Sequence, residues 1–262
     1  MSQETKSFNG KVVLITGASR GIGQGAAIAF GREGATVIGI ARSDQSETAG
    51  AVEAVGGSFE AVRRDLLEAT AADLRALVAD LVARHGHVDV LLNDAGMILR
   101  RPALEVTEDD WNAVLRLNLS ATFFLSQAVA RWWVHEGMAK AAPEARLKIV
   151  NIASLLSFQG GILVPAYTAS KSGVAGVTKA LANEWSPLRI NVNAIAPGYI
   201  VTENTRQIRE DEARNKAILD RIPQGRWGMP EDIASGCLYL ASPQADYLNG
   251  AILNIDGGWL GR

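Results

Sequence analysis

The sequence predicts an α/β protein built on a single doubly wound parallel sheet with helices on both faces. Three observations carry that expectation. Short β-branched runs alternate with helical stretches along the whole chain. The first run ends in a glycine-rich turn that leads directly into a helix. No linker, low-complexity segment or longer repeat interrupts the alternation, so residues 1–262 read as one domain.

Lys11 to Thr16 (KVVLIT) is the first strand, followed by the turn Thr16 to Gly23 (TGASRGIG) and the helical stretch QGAAIAFGREG. Glycines let backbone approach an anion, and a helix N-terminus offers free N–H groups with a partial positive charge. The spacing Gly17-x-x-x-Gly21-x-Gly23 differs from the usual Gly-x-Gly-x-x-Gly, and a turn needed only for packing is the competing reading. Ala35 to Ala41 is a second strand. An acidic residue at its end would bind the ribose hydroxyls of NAD. Here Arg42 stands at that end and Arg20 lies in the glycine turn, a pair suited to the extra phosphate of NADP. Asp44 is close enough to oppose this, and two solvated arginines are the alternative.

Ser46 to Gly56 is helical, and Ser58 to Arg64 is a strand ending at Asp65-Leu66. Asp65 stands either at the sheet's ligand edge or as a cap for a helix over Thr70 to His85. Val88 to Asn93 is a fourth strand, ending in Asp94-Ala95-Gly96, where small residues let backbone pass close to a ring. A long helical stretch runs from Thr107 to about His135, opened by Thr107 and Asp110 as a capping pair. Asn118 lies inside it, and a kink there would turn its backbone carbonyl toward a water. Trp132-Trp133 reads as buried packing.

The stretch Ile149 to Lys171 supplies the fifth strand, ending at Ser154, and a helix carrying Tyr167 and Lys171 one turn apart on one face. That helix continues to about Trp185. A phenol beside an ammonium group suggests proton exchange, because a neighbouring positive charge favours the phenolate. Arg189 to Ala196 is a sixth strand, followed by Pro197-Gly198. Residues 200–226 are charged and weakly patterned, which suits a mobile lid or a solvated helical insertion. Pro230 to Leu240 is a helix and Ile252 to Ile255 the last strand.

Composition narrows the function classes. Lys plus Arg (26) nearly balances Asp plus Glu (28), which gives no basic face for nucleic acid or anionic membrane. The single cysteine, Cys237, permits no internal disulfide, and His85, His87 and His135 are too scattered for a metal site. A polar N-terminus and the lack of an unbroken apolar run long enough to span a bilayer point to a cytoplasmic protein.

In order and spacing, TGASRGIG, Asp65-Leu66, NDAG (Asn93 to Gly96), Asn118, Ser154, YTASK (Tyr167 to Lys171) and Pro197-Gly198 resemble the short-chain dehydrogenase/reductase family. One departure is Asp94, where the family usually has a second asparagine. The resemblance implies a Rossmann-type fold and a catalytic tetrad. Tyr167 would be the acid/base, Lys171 the ribose ligand that lowers its pKa, Ser154 the partner of the reacting oxygen, and Asn118 the anchor of a relay water. For the cofactor it implies Gly17, Ser19, Arg20, Gly21, Ile22, Gly23, Arg42, Asp65, Leu66, Asn93, Ala95, Gly96, Tyr167, Lys171, Pro197, Gly198, Ile200 and Thr202. Longer runs, such as RIPQGRWGMPED and the ending DGGWLGR, look like the family's sugar-acid dehydrogenases. A substrate carboxylate would then face Arg100 and Arg206, with Gln159 on its hydroxyls beside Ser154 and Tyr167. Those members are described as preferring NAD, whereas Arg20 and Arg42 favour NADP(H); NAD(P)H is the expected cofactor either way. The alternatives are a reductase of 3-oxoacyl chains on acyl carrier protein and a catalytically silent dinucleotide-binding scaffold. The family also implies a homotetramer, with the helices around Trp132 and Val174 to Trp185 as candidate interfaces.

Overall fold

The computed structural model describes residues 6–262. Its seven strands are β1 (Val12–Thr16), β2 (Thr36–Ala41), β3 (Ser58–Arg63), β4 (Val90–Asn93), β5 (Leu147–Ile152), β6 (Ile190–Pro197) and β7 (Ile252–Ile255). They form one sheet in the order β3-β2-β1-β4-β5-β6-β7, parallel at every pairing. The order reverses direction between β1 and β4. At such a switch point the crossover helices leave to opposite faces, and a crevice opens at the strands' carboxyl ends.

The helices are α1 (Gly21–Arg32), α2 (Ser46–Ala54), α3 (Ala71–His85), α4 (Glu108–Leu115), α5 (Thr122–Trp132), α6 (Met138–Lys140), α7 (Pro165–Trp185), α8 (Arg206–Glu210), α9 (Glu212–Leu219) and α10 (Pro230–Ala241). Two cores flank the sheet. Leu14, Ile38, Leu91 and Ile149 face α3, α5 and α7 through Leu77, Leu125, Val129 and Leu181. Val13, Ile15, Val37 and Val150 face α1 and α10 through Ala26, Phe30, Ile233 and Cys237. Strands covered on both sides read as nearly continuous apolar runs, which is why β1, β4, β5 and β6 stood out in the sequence.

The long helix expected from Thr107 to His135 is a run of five segments, from Glu108 to Lys140. α4, α5 and α6 are joined by π-helical turns over Arg116–Ala121 and Trp133–Gly137. Each widened turn displaces the ladder by one residue, a local adjustment that often marks functional positions. Asn118 lies in the first. The Thr107–Asp110 capping box forms as expected, and Thr70–Asp73 makes a second one that opens α3. Taken together, Glu108–Lys140 is long enough to cross a bilayer, with an 18-residue window of mean hydropathy 1.3. The sequence reading missed it because charged residues punctuate the apolar runs. Half of that window is buried against the rest of the chain, as for a core helix. Trp132 and Trp133 are buried and meet edge to face at 6.4 Å, with Trp133 Nε1 donating to Leu188 O.

The segment after β6 folds back over the carboxyl edge. Ile222 packs with Leu155 and Trp259, and Tyr199 stacks at 4.7 Å from Trp259 and 5.4 Å from Trp227. Ile218 of α9 joins this cluster, and Thr202–Thr205, just before α8, line the crevice.

Candidate active site

A cavity of about 440 Å³ occupies the carboxyl edge at the switch point. Its floor is the glycine turn. Gly17 (φ 74°) and Gly21 (φ 60°) adopt left-handed conformations that glycine tolerates best. The N-terminus of α1 beyond them has no side-chain cap, and its first turn carries no acidic residue. The N–H groups of Gly21 and Ile22 are therefore available to an anion such as a dinucleotide diphosphate, while that of Gly23 faces Asp94. Gly23 does not line the cavity; it lets α1 sit against Gly17 O, 2.5 Å from where a Cβ would stand.

At one end of the cavity Arg20, Arg42 and Arg64 converge with Ser43, Asp65 and Leu66. Arg42 approaches Asp65 at 3.8 Å, an exposed and weak pair. Asp44, the carboxylate that stood against an NADP reading, is engaged locally instead. It accepts from both the hydroxyl and the N–H of Ser46 at the start of α2, and those bonds hold its pKa below the ordinary value. The third guanidinium, Arg64, is absent from the sequence reading. The available signal was its position beside Asp65 at a strand end.

The other end holds Ser154, Tyr167 and Lys171. Ser154, at the end of β5, is extended; its Oγ accepts from Leu156 N–H, and its hydroxyl lies close enough to the Tyr167 phenol to oppose the rise in that phenol's pKa. Proline at the first position of α7 fixes the start of the helix that carries Tyr167 and Lys171. Lys171 is buried, donates to Ile152 O at 2.6 Å and lies 5.8 Å from the centre of the Tyr167 ring. Burial pushes Lys171 down to about 8, opposed by the charge of Asp94. The sequence reading expected the ammonium to lower the phenol. Here burial is the larger effect and raises Tyr167, with Asp94 adding to it and Ser154 and Arg100 opposing.

Asn118 reaches the same region from the π turn. Its Oδ1 accepts from Met97 N–H at 2.8 Å, and its Nδ2 donates to Met97 O and Ser170 Oγ at 3.0 Å. These bonds fix the loop after β4 against α7. The Asn118 carbonyl accepts from Thr122 Oγ1, so the expected kink is a widened turn with that carbonyl bonded to a side chain. Asn93 is buried behind the cavity, donating to Ser126 Oγ and Asn151 Oδ1; it braces β4 and does not line the cavity. Ala95 and Gly96 do line it, as do Ser19, Ile22, Pro197, Gly198, Ile200 and Thr202.

Of the expected substrate contacts, Arg100 lines the cavity and donates to Asn204 O of the covering segment at 3.0 Å. Gln159 and Arg206 do not line it. Gln159 Oε1 accepts from Trp259 Nε1 at 3.3 Å, and Arg206 pairs with Glu203 at 2.7 Å and Glu210 at 3.9 Å. Glu203, Asn204 and Thr205 line it instead, along with Met97 and Ile98. Among the described residues no group of three or more His, Cys, Asp or Glu side chains is placed to hold a metal ion.

The family model described as Enoyl-(Acyl carrier protein) reductase matches residues 17–260. This chain belongs to the short-chain dehydrogenase/reductase family. It is an oxidoreductase of that family. A 2-dehydro-3-deoxy-D-gluconate 5-dehydrogenase of Escherichia coli K12 is 48% identical over 256 residues, covering 98% of each chain. The crystal structure of an Agrobacterium tumefaciens protein with bound NADP superposes with a TM-score of 0.87 at 48% identity, covering 99% of this chain and 100% of that one. A gluconate 5-dehydrogenase of Burkholderia cenocepacia, solved with NADP and tartrate, has a TM-score of 0.89 at 32% identity, covering 99% of this chain and 100% of that one.

Proposed function

We propose that this short-chain dehydrogenase/reductase uses NADP(H) to interconvert a secondary alcohol and a ketone on a sugar acid, as a 2-dehydro-3-deoxy-D-gluconate 5-dehydrogenase. One observation carries the reading: a single cavity is lined by an uncapped helix N-terminus, by Arg20, Arg42 and Arg64, and by Ser154, Tyr167 and Lys171, with Arg100 beside them. The relatives' activities on gluconate derivatives support the sugar acid, and Arg20, Arg42 and Arg64 support the 2′-phosphate.

When bound, the nicotinamide cofactor supplies hydride transfer. The chain's own residues do the rest. Tyr167 gives a proton to the substrate oxygen in reduction and takes it back in oxidation. Ser154 donates a hydrogen bond to the same oxygen and orients the phenol. Lys171 holds the ribose, while Ser154 and Arg100 make the Tyr167 phenolate less unfavourable than burial alone would. Asn118 braces the loop after β4, and the lone pair of its carbonyl that Thr122 Oγ1 leaves open is offered to a relay water. Arg100 pairs with the substrate carboxylate in place of Asn204 O. Residues 200–226 act as the lid over a single catalytic domain.

The buried, unpaired Cys237 fits a reducing cytoplasm. A homotetramer would use the outward faces of α4, α5 and α7, where Trp111 and Phe124 are exposed; Trp132 and Trp185 face inward. The decisive assay is purified enzyme with 2-dehydro-3-deoxy-D-gluconate, gluconate and an acetoacetyl thioester, each with NADP(H) and NAD(H). Turnover of a sugar acid is expected; turnover of the thioester alone ends the reading.

A further inference from the structure

Asp94 is the residue that the proposed mechanism leaves unused. It follows β4, and its N–H and that of Ala95 both donate to Thr16 Oγ1 at 3.0 Å, which fixes the turn. Its side chain enters the cavity between the glycine turn and α7. Oδ2 stands 3.2 Å from where a Cβ of Gly17 would be and 2.8 Å from that of Gly23, so the carboxyl faces the backbone N–H of Gly23 at the third position of α1. An acidic group is thus built into the floor beneath the site of the cofactor's diphosphate.

We propose that Asp94 takes up a proton when the dinucleotide binds. A neutral carboxyl then lies beside the glycine turn in the loaded enzyme, and cofactor affinity falls as pH rises. Two negative phosphates entering next to a carboxylate would repel it and strip its remaining water; both effects favour the protonated form. A protonated carboxyl still offers a lone pair to the Gly23 N–H, and Thr16 Oγ1 still holds the N–H groups of Asp94 and Ala95, so the turn keeps its geometry. The free site is poised for the change, since burial already pushes Asp94 up to about 7, with Lys171 and the Gly23 N–H opposing.

The groups around Asp94 are few. From α7 it faces Lys171 and Tyr167, and from α10 the Cys237 thiol, which burial holds in its neutral form. α1 presents backbone N–H groups and β1 the Thr16 hydroxyl. Only Lys171 can share the charge change. It loses its own proton as pH rises, which weakens anion binding in the same direction, so removal of Asp94 must be read as a pH-dependent ratio.

This inference rests on the dinucleotide reading of the cavity. The test is NADP⁺ binding by isothermal titration from pH 6 to 9, for wild type and Asp94→Asn. Both should bind equally at pH 6, and the variant about tenfold more tightly at pH 9, where wild type carries the extra charge. Wild type should also take up protons on binding at pH 8, read from buffers of different ionisation enthalpy. An affinity ratio constant across pH means that Asp94 only shapes the turn and overturns the proposal. Should the variant fail to fold, infrared difference spectra of wild type at pH 8 decide: a protonated-carboxyl band must appear with NADP⁺, and its absence overturns the proposal. No NADP⁺ binding by wild type at any pH would sink the cofactor reading itself.

Discussion

Gly23→Ala and Gly50→Ala make the same chemical change with opposite expected signs. A Cβ on Gly23 would stand 2.5 Å from Gly17 O and 2.8 Å from both the Gly17 carbonyl carbon and Asp94 Oδ2. Two of these neighbours are main chain in a turn already held by positive φ, so relief requires α1 to move away from β1. Overpacking of this kind costs about 3 kcal/mol, and the helix preference of alanine returns about 1, leaving about 2 kcal/mol of destabilisation. For a chain of this size that lowers Tm by about 4–8 °C. Gly50 lies within α2, is exposed, and has nothing within 4 Å of its Cβ position. There alanine gains about 0.5–1 kcal/mol, raising Tm by about 2–3 °C. Thermal unfolding followed by circular dichroism without cofactor measures both, and NADP⁺ titration of the folded variants adds a second readout. Gly23→Ala should bind at least about tenfold more weakly if α1 has shifted, because the proposed diphosphate site is its N-terminus. Equal melting and equal binding for Gly23→Ala and wild type would refute the close approach.

Tyr167→Phe should keep NADP⁺ affinity while kcat falls by about 10²–10⁴, since it removes only the exchangeable proton; full turnover would remove Tyr167 from the chemistry. Arg42→Ala should weaken NADP⁺ by about tenfold and NAD⁺ by less than twofold, compared by fluorescence titration. Arg100→Ala should raise KM for a sugar acid by about 10–100-fold and leave the NADP⁺ Kd unchanged; an unchanged KM would separate Arg100 from the carboxylate. Asp94 titrates near 7 in the folded protein against an ordinary 3.8. Between those values the native state holds a proton that the unfolded chain has released. Its contribution to stability is therefore complete below about pH 4 and lost as pH rises through 7. Asp94→Asn should gain Tm relative to wild type between pH 5 and pH 8, by scanning calorimetry without cofactor.

The fold was legible because its signals are local. β1, β4, β5 and β6 are covered on both faces and read as apolar runs, and Thr70–Asp73 and Thr107–Asp110 close their capping boxes within four residues. The edge strand β3, half-exposed and polar, was found from its place in the alternation. The two π turns left no mark, because a single extra residue per turn barely disturbs the helical period.

The sequence by itself determined the alternating architecture, the glycine turn from Gly17 to Gly23 that opens α1, and the placing of Tyr167 and Lys171 one turn apart on one helix, each encoded by spacing within one element or one junction. Tertiary structure decided the rest. It put Arg64, Arg42 and Arg20, from the ends of β3 and β2 and from the glycine turn, on one cavity and engaged Asp44 with Ser46. It turned Gln159 toward Trp259 and Arg206 toward Glu203, and it put Asp94 between α1 and Lys171. Strand order and summed burial fix those outcomes, and both depend on residues far apart in the chain, so no short pattern carries them.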